Sequence, residues 1–204
     1  MSISITLHRS GTSRTQQVDT TTTGLDLFGS DRAVVAMRVD GNLVDLQREL
    51  HDGAEVEPVE ATSEDGLNII RHSATHVMAQ AVQQLYPEVN LGIGPFITDG
   101  FYYDFGNIEP VTPEVLSELE KRMKRIVKEN QRFVRRVTTE ESAREELADQ
   151  PYKLELIGTK GKGAEGASVE VGGGELTIYD NVRRNGEVAW KDLCRGPHVP
   201  STKY

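Results

Sequence analysis

The period of the apolar residues changes at Gly66, and that change limits what the chain can fold into. Before it, to about Glu60, the sequence reads as short strands and turns. "SISITL" alternates, "AVVAMRVDGNLVDL" sets an Asp-Gly turn between two apolar runs, and "GAEVEPVEA" is a last extended piece. After it, Leu67, Ile70, Ala74, Val77, Ala81 and Leu85 share one helical stripe, which Tyr86-Pro87 ends. A second helix is expected after Thr112, with Pro113 in its first turn and Val115, Leu116, Leu119, Met123, Ile126 and Val127 as its inner face. A third runs from near Thr138 to about Ala148, with Thr138 and Glu141 at capping-box spacing. "VNLGIG", "GFYYDF", "RFVRRVT", "YKLELI", "SVEV", "ELTIYD" and "EVAWKDL" are expected as strands. Neighbouring strands are joined too briefly for parallel crossovers, so the fold class is α+β with an antiparallel sheet.

The length of 204 residues allows one large or two small domains. The hairpin-rich first segment is too short to bury much surface and needs a neighbour, and the polar "TSEDG" at 62–66 serves as linker or helix start. No window approaches the roughly 18 apolar residues that cross a bilayer, and "MSISITLHRSGTSRTQQ" lacks the succession of a signal peptide, so no membrane role and a cytoplasmic location are expected. One cysteine cannot form an internal disulfide, which excludes a stapled secreted scaffold. The net charge of −9 opposes general binding to DNA or other nucleic acid, but it is unevenly spread. Residues 1–66 hold twelve Asp/Glu against five Arg/Lys, whereas "KRMKRIVKENQRFVRR" at 121–136 holds eight basic residues and one acid.

The glycine-rich run 158–174 would be flexible and matches GxGxxG at Gly161–Gly166. The residues after the match alternate like a strand and open no amphipathic helix, and the Gly161-Lys162 pair lacks the other P-loop residues, so neither phosphate-binding motif stands.

Chemistry concentrates in two spaced pairs. "RHSATH" places His72 and His76 one helical turn apart, about 200° and 240° round the helix when the apolar stripe centres near 30°, so they are not core residues of that stripe. Alone, such a pair reads first as a solvated polar face, and Ser73 after the first histidine excludes an HExxH protease. The second pair is the lone Cys194 with His198 in "DLCRGPH". Together the four offer ligands of the kind tetrahedral Zn²⁺ takes, or imidazoles free to act as bases, and spacing does not choose between these. A lone cysteine is equally a buried packing residue.

"RHSATHVMAQAVQQLYP", "IGPFITDGFYYDF", "PYKLELI" and "DLCRGPHVPST" succeed one another in an order that resembles the N-terminal half of the bacterial threonyl-tRNA synthetases. In this resemblance residues 1–61 correspond to the β-grasp, ubiquitin-like TGS domain. Residues 62–204 correspond to the α+β editing domain, the second additional domain related between threonyl and alanyl enzymes. The resemblance implies hydrolysis of mischarged seryl-tRNA(Thr) by water attack on the aminoacyl ester. Its site falls on His72, His76, Tyr103, Lys153, Asp192, Cys194 and His198. By resemblance His72 orients or deprotonates water, Lys153 favours the oxyanion, Asp192 and His198 grip the aminoacyl group and terminal ribose, and Tyr103 and Cys194 line the pocket. Alanyl-type relatives hold zinc with this tetrad. The threonyl branch implies a metal-free site, with zinc on His72, His76, Cys194 and His198 as the alternative.

The basic strip of Lys121, Arg122, Lys124, Arg125, Lys128, Arg132, Arg135 and Arg136 can then meet tRNA phosphates, or be a solvated face. The same resemblance places ATP use, a further zinc and the aminoacylation domain in the remainder of the synthetase chain, so this stretch is expected as an N-terminal fragment unable to aminoacylate. Two rivals stay open: a non-catalytic tRNA-binding module with structural zinc, and a free-standing alanyl-type deacylase.

Overall fold

The computed structural model describes residues 1–158 and 175–204. By its contacts the chain divides into two compact units, 1–70 with 197–200 and Tyr204, and 71–196 with 201–203. The fold class is α+β. No helix among the described residues is long and apolar enough to cross a membrane.

The first unit is a five-stranded sheet with one short helix. Strands β1 (Ser2–Arg9), β2 (Thr12–Asp19), β3 (Val34–Val39), β4 (Asn42–Val44) and β5 (Glu55–Glu60) stand in the order β2-β1-β5-β3-β4. All pairs are antiparallel except β1 with β5. The expected Asp-Gly turn joins β3 to β4, with both Asp40 (φ 50°) and Gly41 (φ 79°) in the left-handed region, as a two-residue hairpin of this twist requires. Ser10 and Gly11 make the same turn between β1 and β2. Strand β2, "TSRTQQVD", is polar and mostly exposed at the sheet edge, so no hydrophobic alternation announces it. Helix α1 (Gly24–Phe28) is short and starts where the Asp26 carboxylate accepts from the Thr23 backbone N–H at 2.8 Å. Ile3, Ile5, Phe28, Val34, Met37, Leu46, Leu50, Ala54 and Val56 form the core of this unit.

Helix α2 (Glu64–Leu85) ends where Tyr86-Pro87 was expected to end it, and the Ser63 hydroxyl accepts from Gly66 N–H at its start. In the second unit α3 (Pro113–Glu129) starts as anticipated, with Thr112 accepting from Val115 N–H, and stops at left-handed Asn130. Of its expected inner face Leu119 and Ile126 are buried, whereas Leu116 and Val127 are exposed. A three-stranded antiparallel sheet, β10 (Arg132–Val137), β11 (Thr177–Val182) and β12 (Val188–Leu193), forms the body of this unit. The run "VNLGIGPFITDGFYYDF" yields only two-residue strands: β6 (Asn90–Leu91) paired with β9 (Phe105–Gly106), and β7 (Phe96–Ile97) paired with β8 (Gly100–Phe101).

Some expectations need correction or fall outside the described residues. The third helix, α4 (Glu140–Glu146), is shorter than expected, and its cap is Thr139, which accepts from Ser142 N–H at 3.2 Å, rather than Thr138. "YKLELI" is not a strand but lies in helix α5 (Pro151–Gly158). The Tyr-x-Leu-x-Leu alternation suggested a sheet. Instead the helix buries Lys153 and Ile157, four apart, and Gln150 ties its start to β6 through Leu91 N–H (2.7 Å). The GxGxxG match and the "SVEV" strand lie outside the described residues. Under the sheet, Ala143, Leu147, Ile157, Leu176, Ile178 and Leu193 form a continuous core that seats α4 and α5.

Beside that core Arg136 grips Glu146 with two parallel hydrogen bonds (2.9 and 2.7 Å) and Asp180 through Nε (2.6 Å), and Lys191 joins at Glu146 (2.9 Å). Arg136, and then Lys191, hold the Glu146 carboxyl down to about 2 from its ordinary 4.5. A lowered carboxyl pKa adds stability that is fully present above the unfolded value and is lost as pH falls from about 4.5 towards about 2. In urea unfolding, Glu146→Gln is expected to be less stable than the unsubstituted chain at pH 7 and to lose less on acidification across that window. Parallel acid limbs would contradict it.

Candidate functional site

Helix α2 carries His72 and His76 one turn apart, their ring centroids separated by 5.5 Å and their planes nearly perpendicular. Both are buried, at 4% and 1% exposure, so the pair is not the solvated face that its position off the apolar stripe allowed. The reason is that α2 is covered on its polar side as well. The rings of Trp190 on β12 and Phe133 on β10 lie 5.3 and 6.3 Å from the His76 ring, both edge-on. Burial first, and then the nearness of His72 and Lys153, hold the His76 pKa well below its ordinary value, so this imidazole is neutral near pH 7.

Cys194 follows β12 and prolongs the ladder, its N–H donating to Thr177 C=O at 3.1 Å and its C=O accepting from the Thr177 hydroxyl. It is fully buried. The chain then turns through Gly196 at φ +73°, which brings the Gly196 N–H to 3.2 Å from the Cys194 Sγ. On its other side Sγ lies 3.2 Å from His72 Nε2. His198 is also buried, and its backbone N–H donates to Asp45 Oδ1 at 2.7 Å. One donor atom from each of His72, His76 and Cys194 lies within 4.8 Å of the others, a group that could hold a metal ion.

Lys153 of α5 and Asp192 of β12 have no exposed side-chain surface, and Nζ lies 3.0 Å from Oδ1. The approach is off the line of a hydrogen bond, so the contact is chiefly Coulombic. The second carboxylate oxygen accepts from the Tyr103 hydroxyl at 2.6 Å. The Lys153 ammonium also stands 5.5 Å from the centre of the Tyr103 ring, whose other neighbour is a stacked Phe105 at 4.9 Å. Asp192 and Cys194 are two residues apart on one extended segment and so face the same way. The structure thus brings a buried ion pair, a phenol, two imidazoles and a thiol to one side of β12.

The basic strip is less uniform than its sequence. Lys121, Lys124, Arg125, Lys128 and Arg132 are exposed. Lys124 pairs with Glu120 and Arg122 with Glu118 along the helix, and Arg135 pairs with Glu175. The guanidinium of Arg136 is committed to Glu146 and Asp180. A cavity of about 590 Å³ in the first unit is lined by His8, Arg9, Arg38 and Glu57 among others. Its two arginines are already paired, with Asp31 and Asp65.

Gln80 and Gln83 are the site neighbours that sequence reasoning missed. They continue the polar stripe of His72 and His76 along α2, and that spacing was the available signal.

No family model matches the chain. The sequence is 59% identical over 204 residues to the threonine–tRNA ligase of Streptomyces avermitilis, 62% over 190 residues to that of Streptomyces griseus and 59% over 195 residues to that of a Nocardioides species. The chain is homologous to actinobacterial threonine–tRNA ligases. The match takes in 98% of this chain but 31% of the S. avermitilis protein, so the chain spans about three-tenths of the length of these relatives. At that coverage the stretch similar to threonine–tRNA ligase runs through every residue from His72 to His198.

Proposed function

We propose that this chain is the N-terminal editing region of a threonine–tRNA ligase and hydrolyses seryl-tRNA(Thr). The observation that carries the reading is the buried Lys153–Asp192–Tyr103 group beside His72, His76 and Cys194. The Lys153 side chain is fully buried, and its fixed positive charge is suited to an oxyanion developing in a water-poor cleft. In this reaction His72 takes a proton from water as the oxygen attacks the ester carbonyl carbon, and Lys153 faces the resulting oxyanion. The ester bond to the terminal ribose then breaks, the ribose oxygen recovers a proton, and serine and free tRNA leave. His76, neutral by burial, orients water as a hydrogen-bond partner, Cys194 lines the pocket, and Tyr103, Asp192 and His198 hold the aminoacyl group and ribose. Editing is needed because threonine and serine differ by one methyl, worth only about 1–3 kcal/mol in a synthetic pocket.

The donor types of His72, His76 and Cys194, with His198 as the fourth in the sequence pattern, would suit zinc, which would supply a Lewis acid or structural tie there. We favour metal-free hydrolysis, as the threonyl resemblance implies, with Lys153 supplying the positive charge that a metal would otherwise bring. The same cluster supports the second reading, a structural zinc site in a non-catalytic tRNA-binding module.

The sheet order β2-β1-β5-β3-β4 with a single parallel pair supports reading residues 1–61 as a β-grasp TGS domain, with 62–204 as the editing domain. Exposed Lys121, Lys124, Arg125, Lys128 and Arg132 are the candidates for tRNA phosphates. Aminoacylation and ATP use belong in this reading to the rest of the synthetase, in the cytoplasm.

The test is deacylation of purified aminoacyl-tRNA alongside metal analysis. Hydrolysis of seryl-tRNA(Thr), sparing of threonyl-tRNA(Thr) and little zinc per chain are expected. Stoichiometric zinc without hydrolysis would establish the non-catalytic reading, and preference for an alanyl ester the alanyl-type one.

A further inference from the structure

Two glutamines on α2 reach one cross-strand pair of the sheet. Gln80 and Gln83, three apart, lie on neighbouring points of one helical face. Gln80 Oε1 accepts from Asn181 Nδ2 at 2.8 Å, and Gln83 Oε1 accepts from Trp190 Nε1 at 2.7 Å. Asn181 of β11 and Trp190 of β12 stand directly opposite each other in the antiparallel register. The helix is therefore clamped to the sheet at two points, one and about two turns beyond His76. The indole held by the second clamp is the ring that meets His76 edge-on at 5.3 Å.

We propose that Gln83 is a positioning residue, which fixes the rotamer of Trp190 so that the indole walls the His76 imidazole into its hydrolytic orientation. The proposal rests on the editing reading. Aromatic rings packed edge-on against an imidazole help fix its orientation, and Trp190 is a larger ring against His76 than Phe133. The indole has one donor, and burying it without an acceptor is unfavourable. It also has somewhere else to go, since a cavity of about 290 Å³ lined by Gln83, Trp190, Gln150, Glu146 and Lys191 lies alongside. Without the Gln83 acceptor the ring is free to turn towards that space, and His76 loses its wall. Displacing a catalytic group by a fraction of an ångström is felt in turnover before it is felt in binding.

Trp190 is the chain's single tryptophan, so intrinsic fluorescence reports on it alone. In the 204-residue chain, Gln83→Leu is expected to lower kcat for seryl-tRNA(Thr) deacylation about tenfold with KM within about twofold, and to shift the emission to longer wavelength. Gln83→Glu, which keeps an acceptor at a partly exposed position, restores both. Trp190→Phe, which keeps a ring but has no N–H, repeats the kcat loss should Gln83→Leu fold poorly. Equal kcat or unchanged emission in Gln83→Leu, or Gln83→Glu behaving like Gln83→Leu, overturns the proposal. An unsubstituted chain that hydrolyses nothing overturns the editing reading and this proposal with it, whereas an active chain indifferent to Gln83 overturns the positioning role alone.

Discussion

Lys153→Met is expected to slow hydrolysis of seryl-tRNA(Thr) by about 10²–10³-fold, the range seen when one oxyanion-stabilising group is removed. It is also expected to destabilise the fold, and the two effects have different origins. The ammonium stands 3.0 Å from the Asp192 carboxylate with neither side chain exposed. Removing one member of such a pair leaves the other as an uncompensated buried charge, a loss of about 3–5 kcal/mol. Tyr103 still donates to Asp192, so the observed loss should sit at the lower end. The double variant Lys153→Met/Asp192→Asn separates the causes. With both charges gone, the urea midpoint should recover most of the difference while hydrolysis stays slow. His72→Ala should also be slow, with its midpoint little changed relative to the lysine variant. Full activity in both Lys153→Met and His72→Ala would remove the catalytic role from this cluster.

Gly196→Ala is expected to be among the most damaging single substitutions in the second unit, by about 2–5 kcal/mol, combining left-handed strain with overpacking. Gly196 has φ +73°, and a Cβ there would stand 1.9 Å from the Tyr179 hydroxyl oxygen. Tyr179 is itself fully buried on the central strand β11, so its ring has no room to retreat. The same turn aims the Gly196 N–H at the Cys194 sulfur. Relaxation of the backbone would therefore withdraw the sulfur's donor as well. A thermal or urea midpoint equal to that of the unsubstituted chain would show that the turn is softer than its geometry indicates. By contrast Gly186 is also at positive φ, but a Cβ there would meet no atom within 4 Å, so the same change should cost only the strain component.

The elements with local signals were legible. The stop of α2 at Tyr86-Pro87, the Thr112-Pro113 start of α3 and the Asp40-Gly41 hairpin follow from backbone restrictions that act within a few residues. Strand β2 was not legible, because an exposed edge strand needs no apolar alternation and its pairing is set by β1. Helix α5 was misread for a related reason. Tyr152, Leu154 and Leu156 alternate, yet the buried residues are Lys153 and Ile157. No local rule places a lysine inside, since the partner that tolerates it is 39 positions away at Asp192. Gln83 and Trp190, separated by 107 positions, were invisible for the same reason.

By itself the sequence determined the α+β class, most element boundaries and the chemical types available for a site: two imidazoles one turn apart and a thiol a few residues before a third. Those depend on helical and extended periods and on proline and glycine, which act locally. Only the tertiary structure decided that the histidine face of α2 is buried, that Lys153 is an interior cation and that Asp192 and Tyr103 are its company. Burial and electrostatic environment are properties of what packs against a side chain, and here Lys153 and Asp192 lie 39 positions apart and His72 and Cys194 122.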